Sequence, residues 1–575
     1  MTMYKSLLIL LFSCSFCSIS AENLADSVFV DSGIAYKKNA DNTVNIIAQD
    51  NSDCYKQTFN DSLLVIPSNV RYDGKNFRVK CIEKAAFAKW CGIKSAVISE
   101  GIEEIHDVAF FDCANLESIN IPSSVNKIGE DILSCCIRLN SIKVDKRNPI
   151  YDSRNECNAI IRKQDNALLY GCKSTIIPSS VITMKSHAFL GCMMETVSIP
   201  VGVKIIEPTV YTYCVNLKKV KISSSVEELD YSSFYGCNNI TSIEVDDRNK
   251  IYDSREGCNA VIETNRQRLV LGCSSTKIPA GVEEIGENSF RGCENLREIV
   301  IPEGVDLIDD CAFKGCSSLK KVSLPSSLNV FYGNSHFSDC ISLESIHLPA
   351  NVYLIPNYIF KGCVSLREIV VDKGNALYDS RNNCNAVIRS SDNQLIAGCK
   401  TSVIVDGIKS IGAHAFRKHD VTSIFIPASV EYIDSTAFLE NKNCKSIMVD
   451  KGNAVFKSED SNSVVEKNTH KLVLACSTTK ILPEVTSIGA HAYLNTPLFI
   501  VLPDGIKTIR YGAFMECADL NTIFIPSSVE RIERFAFAGC ENLCDVIQMG
   551  SQAKIDDKAF DRCIRLRDSP YSNAK

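Results

Sequence analysis

A solenoid of stacked short repeats, with one parallel strand in each, is the architecture this sequence predicts. Three observations carry the prediction: a motif that restarts about every 23 residues, an alternating apolar strand within each copy, and one aromatic slot that keeps the register. In full, the expectation is an α/β-type solenoid of sixteen short repeats with parallel strands, four interleaved β-hairpin insertions and a β-rich N-terminal cap.

The period is read directly. Leu116, Ile119, Ile121, Pro122, Val125 and Ile128 are followed by Leu133 and Cys136, and the pattern restarts at Leu139, 23 residues on. The aromatic slot, usually in Ala-Phe-x-x-Cys, holds Phe87, Phe110, Leu133, Phe189, Tyr211, Phe234, Phe290, Phe313, Phe337, Phe360, Phe416, Phe438, Tyr493, Phe514, Phe537 and Phe560. Each Ile-x-Ile-Pro segment alternates as a strand with one buried face does, and the Pro ends it because it cannot donate to a ladder. The Ala-Phe segment that follows is long enough for about one helical turn. A unit this short cannot bury its own apolar face, so stacking of neighbours must build the core.

Four copies of a second element interrupt the array, at about 148–178, 249–279, 375–405 and 453–483. Each has two β-like runs joined by a polar turn, which predicts a hairpin. Such insertions either project as loops on a binding face or simply widen the coil, and the sequence leaves both open.

Residues 1–21 read as a signal peptide: Lys5 precedes the apolar run Leu7–Phe12, and Ser18, Ser20 and Ala21 offer small residues for cleavage. Cys14 and Cys17 raise lipidation, although Phe12 is bulky where a lipidation motif has a small residue. Residues 22–80 lack the repeat and suit a β-rich N-terminal cap over the exposed core end, the solenoid follows over 81–567, and 568–575 is a tail without a recognisable anchor. No run of about 18 apolar residues follows the leader, so no transmembrane segment is expected. The localisation expected is export, to the cell surface or beyond, with the periplasm also open.

Composition narrows the function. The 575 residues are 45% hydrophobic and 23% charged, which excludes intrinsic disorder, and a net charge of −6 without a basic block excludes nucleic acid recruited by bulk charge. Of 28 cysteines, twelve follow the aromatic slot by three residues (Cys113, Cys136, Cys192, Cys214, Cys237, Cys293, Cys316, Cys340, Cys363, Cys517, Cys540 and Cys563). Trp90, His419, Asn441 and Thr496 fill the slot elsewhere, so a packing role that weakly bonds backbone fits better than disulfides or metal. Cys157/Cys172, Cys258/Cys273 and Cys384/Cys399 recur 15 apart and are the better disulfide case, since a hairpin can bring each pair together. Without a Cys-x-x-Cys pair in the mature chain, no metal or cofactor is expected.

Eight histidines do not converge in sequence; they are expected as single solvent-facing side chains, and no catalytic motif is found. The strand position facing away from the core is more informative. It runs Asn120, Lys143, Ser198, Lys221, Glu244 and later Val300, Ser323, His347, Val370, Phe425, Met448, Val501, Phe524 and Ile547, with Phe499 two residues before Val501. Phe425, Met448, Phe499, Val501, Phe524 and Ile547 are therefore the candidate binding stripe, unless hairpins or tail cover it.

Repeats such as Ile301 through Leu319 and Ile525 through Leu543, reading Ile-Pro-x-x-Val then Ala-Phe-x-x-Cys-x-x-Leu, resemble the BspA-type leucine-rich repeats of secreted and surface proteins from host-associated bacteria, notably Bacteroidales, and some parasitic protists. The resemblance spans roughly residues 60–567. It implies a non-enzymatic protein that binds host or neighbouring-cell proteins in an adhesin-like way. Glycan or nutrient capture and self-assembly are the alternatives; the single tryptophan, Trp90, lies in a repeat slot and argues mildly against sugar stacking. Asn60 and Asn239 begin glycosylation sequons, meaningful only in a eukaryotic secretory pathway.

Overall fold

Alternation of buried and exposed residues along Ser118–Ile121 and Ser141–Val144 puts Ile119, Ile121, Ile142 and Val144 inside, and that one-sided pattern sets the whole architecture. A computed structural model describes residues 27–48, 62–458, 462–493, 499–548 and 553–566. The expected signal peptide and the tail lie outside the described residues. The chain divides into two units, residues 1–193 and 194–575.

The first unit opens with β1 (Val28–Asp31), β2 (Ile34–Lys38), β3 (Thr43–Ile46), β4 (Leu63–Ile66), β5 (Asn69–Tyr72) and β6 (Lys75–Ile82). β1, β2 and β3 pair antiparallel, as do β5 and β6, while β3 pairs parallel with β6. Two parallel ladders then run through the repeats. The long-strand ladder is β4, β7 (Ser95–Ile98), β9 (Ser118–Ile121) and β11 (Ser141–Val144). The short-strand ladder continues from β6 through β8 (Glu104–Ile105) to β10 (Lys127–Ile128). Parallel pairing therefore begins at β3, and the long-strand ladder at β4, both inside the stretch 22–80 assigned from sequence to the N-terminal cover. Phe29, Tyr36 and Val79 share one hydrophobic cluster with Phe87 and Phe110.

The insertion follows as β12 (Tyr151–Asp152), β13 (Ala159–Arg162) and β14 (Ala167–Gly171), antiparallel to one another. It is not a projecting loop. β14 pairs parallel with Thr183–Met184, and Ile160, Ile161 and Leu168 point into the core fully buried. The widened-coil alternative is the one realised. Asn148 clamps its start: Nδ2 donates to the Pro122 and Val125 carbonyls at 3.0 and 2.8 Å, and Oδ1 accepts from the Ile150 and Tyr151 amides. Asn249, Asn375 and Asn453 repeat these bonds in the other insertions.

The second unit repeats the plan. Its long-strand ladder includes Lys219–Ile222 with Ser242–Val245, Ser345–Leu348 with Glu368–Val371, Ser423–Ile426 with Ser446–Val449, and Phe499–Val501 with Thr522–Ile525 and Asp545–Gln548, each pairing parallel.

One element differs from expectation. In most repeats the Ala-Phe segment does not form a helical turn, because residues two before and two after the aromatic take positive φ. Ala85 and Lys89 flank Phe87 in this way, and Asn288 and Gly292 flank Phe290. Tyr231–Phe234, where Ser232 is not left-handed, does form one 3-10 turn. The left-handed residues stop the helical bonding and swing the aromatic amide toward the next repeat, where Phe87 N–H reaches the Ala109 carbonyl at 2.8 Å and Phe290 N–H the Ala312 carbonyl at 2.8 Å. Gly292, Gly315 and Gly539 meet this need without Cβ strain.

Stacking then aligns the slots. Phe290 and Phe313 stack with centroids 5.0 Å apart, as do Phe514 with Phe537 and Phe537 with Phe560. Each such pair adds about 0.5–1.5 kcal/mol beyond its area. Beside them, the Cys113 thiol donates to the Phe87 carbonyl at 3.1 Å, and Cys136, Cys237, Cys316, Cys340, Cys363, Cys540 and Cys563 make the same bond to the preceding aromatic. The ladder cysteines are packing thiols that satisfy carbonyls. All described cysteines are free, including Cys157/Cys172, Cys258/Cys273 and Cys384/Cys399. The second thiol of each pair donates to the hairpin carbonyls of Asn158, Asn259 and Asn385.

Candidate binding face

The long-strand ladder turns alternate side chains outward on a parallel array, so its outer face is set residue by residue by the strand register. In the second unit, Phe425 stands opposite Met448, and Val501, Phe524 and Ile547 form a row. Exposure is 46% for Phe425, 53% for Met448, 58% for Val501 and 43% for Ile547, while Phe524 is half-buried. Phe499 pairs with Thr522 in the strand, and its side chain lies outside the described residues. The predicted stripe is thus two apolar groups, and the described strands of the fourth insertion, Ser463–Glu466 and Lys471–Ala475, pair within the short-strand wall.

Elsewhere this unit's face mixes polar side chains with two isolated valines, Val300 and Val370, exposed by 67% and 36%. Lys221 and Glu244 pair at 2.8 Å across the ladder, both well exposed, and such a pair contributes little to stability. In the first unit the sequence reading, begun at Asn120, gave a polar face. The structure adds Leu63 and Val65, exposed by 49% and 51%, with Val65 in register with Val97 and Val97 with Asn120. They were missed because Leu63–Ile66 precedes the first complete repeat motif and was read as cover.

His347 and His470 are solvent-exposed as expected, but the other histidines depart from that expectation. His336 and His419 are buried, and burial pushes each down to about 4. His414, also pushed down to about 4 by burial, stacks on and bonds Tyr358. His187 Nδ1 lies 2.8 Å from Asp131 Oδ1, which raises its pKa. His106 meets two carboxylates, Nδ1 to Glu83 Oε2 at 3.2 Å and Nε2 to Glu104 Oε2 at 3.0 Å. Beside them, burial, then Glu83 and Glu104, pushes the Cys81 thiol up to about 12. The sequence reading took His106 as a single solvent-facing side chain. The signal was present as a spacing: Glu83 and His106 are one 23-residue period apart.

Two parallel ladders, stacked aromatic and cysteine slots and a short repeat define the class of protein, a leucine-rich repeat solenoid. The chain belongs to the family described as the BspA type leucine rich repeat region, whose model matches residues 80–162, 161–256, 270–385, 392–469 and 464–574. Among solved structures it is similar to a leucine rich cell surface protein from Faecalibacterium prausnitzii (20% identity, 91% of this chain and 95% of that chain, TM-score 0.31). It is also similar to a leucine-rich repeat protein from Eubacterium ventriosum (17%, 89% and 93%, TM-score 0.37) and to the pneumococcal vaccine antigen PcpA (17%, 74% and 94%, TM-score 0.33). No curated protein matches the chain. Among the described residues, no helix is long and apolar enough to cross a membrane.

Proposed function

We propose that this protein is an exported, non-enzymatic recognition protein that binds proteins of a host or neighbouring-cell surface in an adhesin-like way. The supporting observation is the outward row Val501, Phe524 and Ile547, with the pair Phe425 and Met448, on a parallel strand array. Apolar side chains held on rigid strands lose little conformational entropy on binding and suit a protein partner's apolar anchors. Phe499 is included in the stripe by its position at the start of the same strand.

The test is a solid-phase binding array of extracellular-matrix and cell-surface proteins, with glycans alongside, probed with the mature chain and with a V501S/F524S variant of unchanged circular dichroism. Binding to a protein that the variant loses supports the reading. Binding confined to glycans, or a variant that binds as the parent does, overturns it.

A further inference from the structure

The short-strand ladder of the first unit carries a group of donors that packing alone does not explain. A β-bulge makes it possible. β3 and β6 pair Val44 with Val79 and then Asn45 with Cys81, skipping Lys80. The extra residue reverses the side-chain alternation. Val79 and Ile82 point into the core, fully buried, whereas Cys81 and Glu83 share the opposite face. The neighbouring strand continues the register, with Cys81 opposite Glu104 and Ile82 opposite Ile105. The ladder persists one residue further, since His106 N–H reaches the Ile82 carbonyl at 2.9 Å and Glu83 N–H the Ile46 carbonyl at 2.8 Å.

Cys81 and Glu83 on one strand therefore face Glu104 and His106 on the next. One donor atom each from Cys81, Glu83 and His106 lies within 4.8 Å of the other two. We propose that Cys81, Glu83 and His106 hold a divalent transition-metal ion of the zinc class, with Glu104 and Asn45 orienting the ligands.

The surroundings favour this over an ion-pair network. Glu104 takes the Nε2 side of His106 at 3.0 Å, which leaves Nδ1 to face Glu83 at 3.2 Å; a carboxylate on the far nitrogen is the usual support of a metal-binding imidazole. Asn45 Nδ2 donates to Glu83 Oε1 at 2.6 Å and leaves Oε2 directed at the cluster. Asn39 in turn donates to Asn45 Oδ1 at 2.9 Å, so the amide is itself held. The donor set matters too. A sulfur, a nitrogen and an oxygen suit zinc, whereas calcium and magnesium select oxygen alone. Glu83 and His106 are about one-third exposed, so solvent can complete a tetrahedral shell. Bound metal would tie β6 to β8, joining the N-terminal strands to the first repeat.

The test is titration of the reduced mature chain with cobalt(II), then displacement by zinc. The expected result is a saturating thiolate-to-cobalt charge-transfer band in the near ultraviolet, lost in C81S, kept in a control C91S at an exposed cysteine, and abolished by one equivalent of zinc. H106Q and E104Q change half-exposed side chains, and E104Q is expected to weaken binding by about 10–100-fold. Absence of the band in the parent chain, or a band that survives C81S or is unchanged in H106Q, overturns the site. Thermal unfolding with and without zinc supplies a second reading: zinc raises Tm in the parent and not in H106Q, and equal shifts in both overturn the site.

Discussion

Asn441 donates its side-chain amide to the Phe416 carbonyl at 2.8 Å, taking over the bond that a cysteine thiol makes in other repeats. It also donates to the Phe438 carbonyl at 2.7 Å and accepts from the Val421 amide at 3.0 Å. The slot is thus defined by the carbonyl it must satisfy, which is why cysteine and asparagine both occur there. Replacing Asn441 with Leu strands these buried groups and is expected to cost about 2–4 kcal/mol in denaturant unfolding. Asn441→Cys, which restores one bond, should fall between leucine and the parent.

The ladder thiols should be inert. All but the half-buried Cys563 are buried, and at least eight of the twelve donate to a carbonyl. Burial pushes the Cys293 thiol up to about 12, whereas Cys91 is exposed. A disulfide reagent should modify Cys91 within the first fast phase and the buried ladder thiols only on unfolding. C91S should lose that part of the phase. Fast labelling of Cys316 or Cys340, located by mass spectrometry, contradicts the assignment.

The insertion clamps are the hairpins' anchor points. Asn249 bonds the Ser223 and Val226 carbonyls and the Ile251 and Tyr252 amides at 2.9–3.0 Å, and it is buried. Asn249→Ala is expected to cost about 3 kcal/mol or more by leaving several backbone groups unpaired. Limited proteolysis should cut first within 249–279; an unchanged cleavage pattern counts against the clamp.

Stability should respond to pH through the buried histidines. His336 and His419 titrate near 4 in the fold and near the ordinary 6.5 when unfolded, so between these values the unfolded chain holds more protons. The stability they contribute is complete above about 6.5 and falls as pH drops toward 4. His187 acts in the opposite sense: its raised pKa gives stability that is full below about 6.5 and fades as pH rises through the folded value. Denaturation series at several pH values should show H336N flattening the acid limb and H187Q the neutral one.

On the binding face, V501S/F524S is expected to weaken a protein partner by about 30-fold or more, the scale of an anchor cluster worth about 2 kcal/mol. K221S/E244S, an exposed polar pair on the same ladder, should change affinity little. Equal losses in both variants, measured by surface plasmon resonance, argue against an apolar anchor.

Much of this was legible in the chain because a repeat makes local pattern and global fold the same statement. The spacing of Phe290, Phe313 and Phe337 already places them in one column, and alternation around Ile424 already turns Phe425 outward. Less legible were features that depend on how strands meet. The helical turn expected at Ala-Phe survives at Tyr231–Phe234 but in most repeats gives way to left-handed residues, since cross-repeat bonding outweighs local helix closure in so short a segment. The insertions' choice between loop and wall rested on whether Leu168 found a core, which only the neighbouring strands decide.

What the sequence determined by itself was the period, hence the stacked strands, the buried aromatic column and the thiols beside it. Tertiary structure alone decided the rest. A single skipped residue, Lys80, turns Cys81 to the face that carries Glu83 and His106. A bulge leaves no periodic trace in sequence, because its effect is to break the alternation by which strand faces are read.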